Sequence, residues 1–216
     1  MRKIAVEKLM QIITVCMLIV YGADLLLTMY ADGMALSINT YLEFDRTLIF
    51  KGQVWRVLSF IIAYPESSNI LFTLMAIYFF YWTGSKVENY WGKARFTLYY
   101  LFGIIGTVIA GFIVGQITNV YLNLSLFLAF CTMFPNERVL IFFVIPIKVK
   151  WLGIVEAVFI IALFIFGYWA IRASIIAALA NYLLFCSYDL INHIKHAIES
   201  YKWRKGNGGG GGNNFY

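Results

Sequence analysis

Three carboxylates interrupt stretches that are otherwise apolar: Asp24, Glu156 and Asp189. An ionisable group set in such sequence is costly to hold in a membrane and is a functional suspect by default. Lys148 and Lys150 stand close enough in sequence to neutralise Glu156, and Lys195 stands likewise to Asp189. Asp24 has no obvious local partner, which makes it the first suspect. His193, His196 and Glu199 are the other group with ligand chemistry, but an i, i+3, i+6 spacing drifts around a helix. Neither a metal nor another cofactor is expected there. Cys16, Cys131 and Cys186 each lie inside an apolar run without CxxC-type spacing, and read as buried free thiols.

The composition says where these residues must sit. Of 216 residues, 62% are hydrophobic and 13% charged, against about 45–50% and about 25% in soluble domains. Too few polar side chains remain to cover a water-facing surface, so a soluble enzyme is excluded. The formal charge of +6 is not gathered into a basic, aromatic-interleaved patch, so no nucleic acid partner is expected. The lipid bilayer is the first partner.

A spanning helix needs about 20 predominantly apolar residues. Candidate spans are Leu9–Tyr30, Ser67–Thr83, Phe96–Val114, a short one at Val120–Phe134, Trp151–Tyr168 and Ala173–Leu190. Ala31–Gln53 forms a long first loop, and Trp55–Tyr64 reads as an interfacial or re-entrant piece. With both termini cytoplasmic, thirteen Lys and Arg residues fall inside and four (Arg46, Lys51, Arg56 and Arg172) outside. That asymmetry is what the positive-inside rule favours. The chain thus divides into a cytoplasmic N-terminus (1–8), a six-helix membrane domain (9–192), a basic cytoplasmic helix (193–205) and a glycine-rich tail (206–216). The tight loops suit a bacterial plasma membrane.

Several motifs lie between these spans. Gly52-Gln53-Val54-Trp55-Arg56 closes the first loop. Gly84-x-x-x-Glu88-x-x-x-Gly92-x-x-Arg95-Phe96 joins spans two and three, where Lys86, Lys93 and Arg95 are close enough to pair with Glu88 in an inner loop. Phe134-Pro135-Asn136-Glu137-Arg138 and Ile145-Pro146-Ile147-Lys148-Val149-Lys150-Trp151 precede span five. Gly111-x-x-x-Gly115 and Ala173-x-x-x-Ala177 permit close helix contacts. In this order, and with a long first loop and a short fourth span, the chain over residues 9–192 resembles the rhomboid superfamily, including the derlins. The resemblance implies an all-α, six-transmembrane-helix bundle.

Active rhomboids cut substrates inside the membrane with a serine–histidine dyad, the serine in Gly-x-Ser-Gly opening span four and the histidine in span six. The matching stretch here is Asn123-Leu124-Ser125-Leu126, which keeps Ser125 but neither glycine. Asn69 and Thr73 stand in the part of span two where the family has oxyanion-site His and Asn. Span six holds no histidine, and His193 and His196 lie past its inner end. A serine hydroxyl without an adjacent base is a poor nucleophile. The resemblance therefore implies a pseudoprotease that binds transmembrane segments of client proteins and affects their stability or processing, with no catalytic residues. The alternatives are an active serine endopeptidase using Ser125, or a small transporter using Asp24 or Glu156.

Overall fold

In the computed structural model, residues 9–30, 37–67, 69–141 and 145–187 are described. Helix α1 (Leu9–Tyr30) has 22 residues, about 33 Å at 1.5 Å per residue and enough for a hydrocarbon core of about 30 Å. The chain from Ser37 then folds into short pieces: α2 (Ile38–Leu42), β1 (Phe44–Asp45), α3 (Arg46–Phe50), α4 (Arg56–Ser59) and a 3-10 turn at Phe60–Ile62. Long helices α5 (Ile70–Trp91) and α6 (Lys93–Val114) meet at Gly92. Strand β2 (Gln116–Ile117) pairs antiparallel with β1, Phe44 opposite Ile117. Helix α7 (Val120–Met133) is followed by β3 (Arg138–Ile141), β4 (Ile145–Lys148), α8 (Val149–Phe166) and α9 (Trp169–Ser187).

Five helices (α1, α5, α6, α8 and α9) are long and apolar enough to cross a membrane. Their outward faces are apolar too, as with Ile109 and Ile113 on α6 and Val155, Val158 and Phe159 on α8. This is an α-helical integral membrane protein. Helix α7 is also apolar but has only 14 residues, about 21 Å.

Helix α5 packs on α1, α6 and α7, and α8 packs on α7. Met10, Met17, Ile77, Val87, Phe96, Tyr99, Leu126 and Phe130 share one buried cluster. Trp91, Tyr99 and Phe185 bind α5, α6 and α9 together through edge-on ring contacts at 5.2 and 5.5 Å. A second cluster, centred on Phe44, Phe60 and Ile117, lies under the short pieces after α1.

Two expectations need correction. Span two does not end at Thr83: α5 runs through Gly84, Lys86 and Glu88 to Trp91, so this motif is helix rather than loop. Glu88 is buried and accepts from the backbone N–H of Leu9 (3.0 Å) and Met10 (3.2 Å). A carboxylate on these two amides gives them charged acceptors and ties α5 to α1. Gly84 makes the approach possible, since a Cβ there would stand 2.5 Å from Met10 Cγ. Second, Gly111 does not serve a helix–helix contact; its missing side chain is replaced by the Phe44 ring, 2.5 Å from where a Cβ would be. The connection before α8 is a strand pair, with Arg138 opposite Lys148. Residues 1–8 and 188–216, with Asp189, His193, His196, the basic helix and the glycine-rich tail, lie outside the described residues.

Candidate functional site

Asp24 is 5% exposed, and it does have partners. Its carboxylate accepts from Ser37 Oγ (2.5 Å), from Ile38 N (2.9 Å) and from the Tyr64 hydroxyl. These donors come from 13 to 40 residues later in the chain, which is why no local partner is visible in sequence. Desolvation, then the bond to Asp24, pushes the Tyr64 phenol up to about 12, so it stays a donor at neutral pH. Beside it, Asn39 is 1% exposed; its amide donates to Tyr64 O and Glu66 Oε1 (both 3.1 Å) and accepts from Tyr64 N (3.0 Å).

Arg56 anchors the other half of this segment. Its guanidinium is 3% exposed and donates to the carbonyls of Thr40 (2.7 Å) and Glu43 (2.8 Å) and to Gln53 Oε1 (2.7 Å). Trp55 is half open, its indole N–H directed at Tyr41 O at 3.4 Å. Asp45 caps α3 through Thr47 N and Leu48 N. Bonds from Thr47 and Gln116 hold its carboxyl down at about 2. Asn119, which sequence reasoning passed over, donates to Ala63 O at 2.7 Å.

Helix α7 presents Ser125 to the interior, where it is 1% exposed. Its hydroxyl shares a 2.6 Å hydrogen bond with Tyr99 OH and donates to Leu122 O at 3.0 Å. Asn69 and Thr73 are occupied elsewhere. Asn69 Oδ1 caps α5 by accepting from Leu71 N (2.8 Å), and Thr73 Oγ1 donates back to Asn69 O (3.4 Å). Lys86 forms a 3.1 Å ion pair with Glu137, and Arg95 donates to Phe185 O at 2.7 Å and lies over the Trp91 ring. The motif residues Gly84, Glu88, Gly92 and Arg95 therefore organise helix ends and contacts.

Glu156 behaves differently. It is 7% exposed, and neither carboxylate oxygen has a hydrogen-bond partner among the described residues. Lys148 and Lys150, expected to neutralise it, are exposed, and Lys150 Nζ sits over the Trp151 ring. Glu156 is among the residues around a half-open cavity of about 280 Å³ between α5, α7 and α8, reached by Met17 and Pro65, while its two carboxyl oxygens are themselves buried. Thr83 and Asn123 line the same cavity, and Thr83 Oγ1 and Asn123 Oδ1 are likewise buried and unpartnered among the described residues. Thr14, Thr28, Thr107 and Thr132 all satisfy their hydroxyls on the carbonyl four residues earlier; Thr83 does not. Phe79, Phe80, Leu124 and Phe127 supply the apolar remainder.

A larger cavity of about 620 Å³ lies between α1 and α5, but its lining is mostly Ile, Leu, Val and Tyr. Its Thr14 hydroxyl is already bonded to Met10 O. Of these two cavities, the α5–α7–α8 one is lined by residues with unspent hydrogen-bonding capacity; Tyr100 and both amide atoms of Asn181 are likewise buried and unpartnered among the described residues. Compared with protein-family models, with curated proteins and with solved structures, the chain matches none.

Proposed function

We propose that this protein is a catalytically inactive, rhomboid-like membrane protein that binds transmembrane segments of client proteins and alters their stability or processing. One observation carries the reading: a half-open apolar groove within the membrane that is lined by three side chains with unpartnered polar atoms, Thr83, Asn123 and Glu156. Hydrocarbon offers polar atoms no water, so a polar side chain on an entering helix would gain a bond it lacks in lipid once one of these buried side chains turns to meet it. Interhelical bonds of this kind contribute about 0.6 kcal/mol on average and up to about 2 kcal/mol. A six-crossing topology with α7 as the short fourth span agrees with the thirteen-to-four distribution of basic residues. At about 21 Å, α7 would thin the bilayer locally and favour clients whose spans are short or imperfectly apolar.

A photoreactive residue at Ala76 or Leu124, both lining the groove, should crosslink client spans in native membranes. The same probe at Ile109, 57% exposed on α6, should yield lipid adducts. Equal capture from all three positions would overturn the reading. Fluorophosphonate should leave the protein unlabelled, and labelling lost in Ser125→Ala would assign a serine endopeptidase instead. The orphaned Glu156 also favours a second reading, a small transporter with a coupling carboxylate, which proton flux in liposomes lost in Glu156→Gln would establish.

A further inference from the structure

We infer that a second cavity, between the segment after α1 and the start of α9, holds the headgroup of an ethanolamine phospholipid, its phosphate on Arg56 and its ammonium at Glu43. This cavity is half open, with a volume of about 330 Å³, and is bounded by the short pieces from α2 to α4, by β2 and by the first turns of α9. Small-molecule sites run from about 300 to 1,000 Å³.

Arg56 supplies the partner for an anion. A guanidinium has five N–H donors. Three are spent here, one from Nε on Gln53 Oε1 and two from Nη1 on the carbonyls of Thr40 and Glu43. The two on Nη2 have no acceptor among the described residues, and Nη2 is not one of the enclosed unpartnered atoms. A side chain only 3% exposed thus keeps one reachable nitrogen while it lines the cavity. Two donors on a fixed positive charge suit phosphate oxygens. Ala170 and Ile171, from the first turn of α9, line the cavity too, and first-turn amides have no intrahelical acceptor.

A simple anion is a poor match, because two carboxylates line the same space. Asp45 is ionised, its carboxyl held at about 2, and is tied to Thr47, Leu48 and Gln116. Glu43 is half-buried, and its carboxyl makes no hydrogen bond to a described residue. Burial, then the charge of Glu66, pushes that carboxyl above its ordinary range, with Arg56 opposing. A ligand ammonium beside Glu43 offsets both causes, whereas a bare cation would also face the guanidinium. The complement is an anion and a cation joined by a short linker, as in phosphoethanolamine. Choline matches less well: it has no N–H for Glu43, and its usual recognition is an aromatic cage. Of the aromatic lining residues, Phe44 is 1% exposed and packs edge-on against Phe60 and Phe112.

Position makes the ligand a lipid. Val114, which ends α6, lines the cavity together with the opening of α9, so the cavity lies where helices leave the membrane. Trp55 and Trp169, each adjacent in sequence to a lining residue, are open to the surroundings, as is Tyr168. Such aromatics collect at headgroup level.

The test is native mass spectrometry of the full-length protein in detergent, offered equimolar phosphatidylethanolamine, phosphatidylcholine and phosphatidylglycerol with matched acyl chains. The ethanolamine lipid should be retained about ten-fold more than either competitor, the worth of one charge-assisted hydrogen bond. Arg56 is left in place, since its other three bonds hold the segment. Glu43→Gln should erase the advantage over phosphatidylglycerol; the Glu43 side chain bonds nothing in the fold, so this variant should stay folded. Ala170→Trp, which fills the cavity, should abolish the preference altogether. Glycerophosphoethanolamine, the same group without acyl chains, should displace the lipid only in about hundred-fold excess, because it lacks the apolar contacts. Equal retention of the three lipids, or a preference that survives both substitutions, would overturn the proposal. Displacement by equimolar glycerophosphoethanolamine would make the ligand a soluble phosphoethanolamine and overturn the lipid.

Discussion

Two polar regions of this molecule are buried to a similar degree and are finished to different degrees. Around the segment after α1, Asp24, Asn39 and Arg56 are each 5% exposed or less, and each side chain makes three hydrogen bonds. In the α5–α7–α8 groove, Glu156 and Thr83 are 7% and 2% exposed, yet no described residue completes them. Satisfied buried networks rigidify a structure, while unsatisfied ones cost stability wherever they persist. The first region is finished internally, apart from Arg56 Nη2; the second keeps buried polar groups without partners among the described residues, which the client-binding proposal uses. Burial alone would not have separated them; the state of their hydrogen bonds does.

The sharpest way to break this contrast is to remove a finished group. Arg56→Ala should destabilise the protein by about 3 kcal/mol, because buried carbonyls and a Gln53 amide oxygen lose charge-assisted donors. Unfolding in detergent followed by circular dichroism would measure it. A change within about 0.5 kcal/mol would mean that the segment does not depend on the guanidinium. Glu88→Gln should cost less, about 1–2 kcal/mol, since one amide oxygen still accepts from Leu9 or Met10 but without charge, while the other N–H loses its acceptor. The loss should appear as faster hydrogen exchange at Leu9 and Met10, with other helices unchanged.

A smaller effect is expected from Asp45. Its folded pKa, about 2, lies below the ordinary 3.8, so the ionised form stabilises the fold. That contribution is complete above about pH 4 and is lost as pH falls from there through about 2. Asp45→Asn should flatten this part of the stability–pH curve. An unchanged acid limb would place the titrating carboxylate elsewhere.

How much of this was legible from sequence follows from the range over which each interaction acts. Apolar runs placed α1, and gave α6, α7 and α8 to within about three residues, because burial in hydrocarbon is written locally. The end of α5 was misjudged because Gly84, Lys86 and Glu88 look like a loop. Glu88 is helical and buried because it meets α1, 78 residues away. Asp24 was singled out correctly as unusual but credited with no partner, since Ser37 and Tyr64 come to it only through the turns after α1. The strand pair before α8 shows no polar–apolar alternation in Val139–Ile141 and so left no period-two signature. Glu156 was a suspect, but Thr83 and Asn123 lie 73 and 33 positions before it, and only the fold puts them on one cavity.

The difference between the two regions comes to a head in Glu156→Leu, read twice in one preparation. A buried carboxyl with no hydrogen-bond partner among the described residues is a burden on the fold, so the leucine variant should unfold at least as late as the unaltered protein in detergent. The same variant should lose client crosslinking from Ala76 and Leu124. Retained or raised stability with lost capture is the result this account predicts. Lowered stability with crosslinking intact would contradict it, and would make Glu156 one more finished structural group.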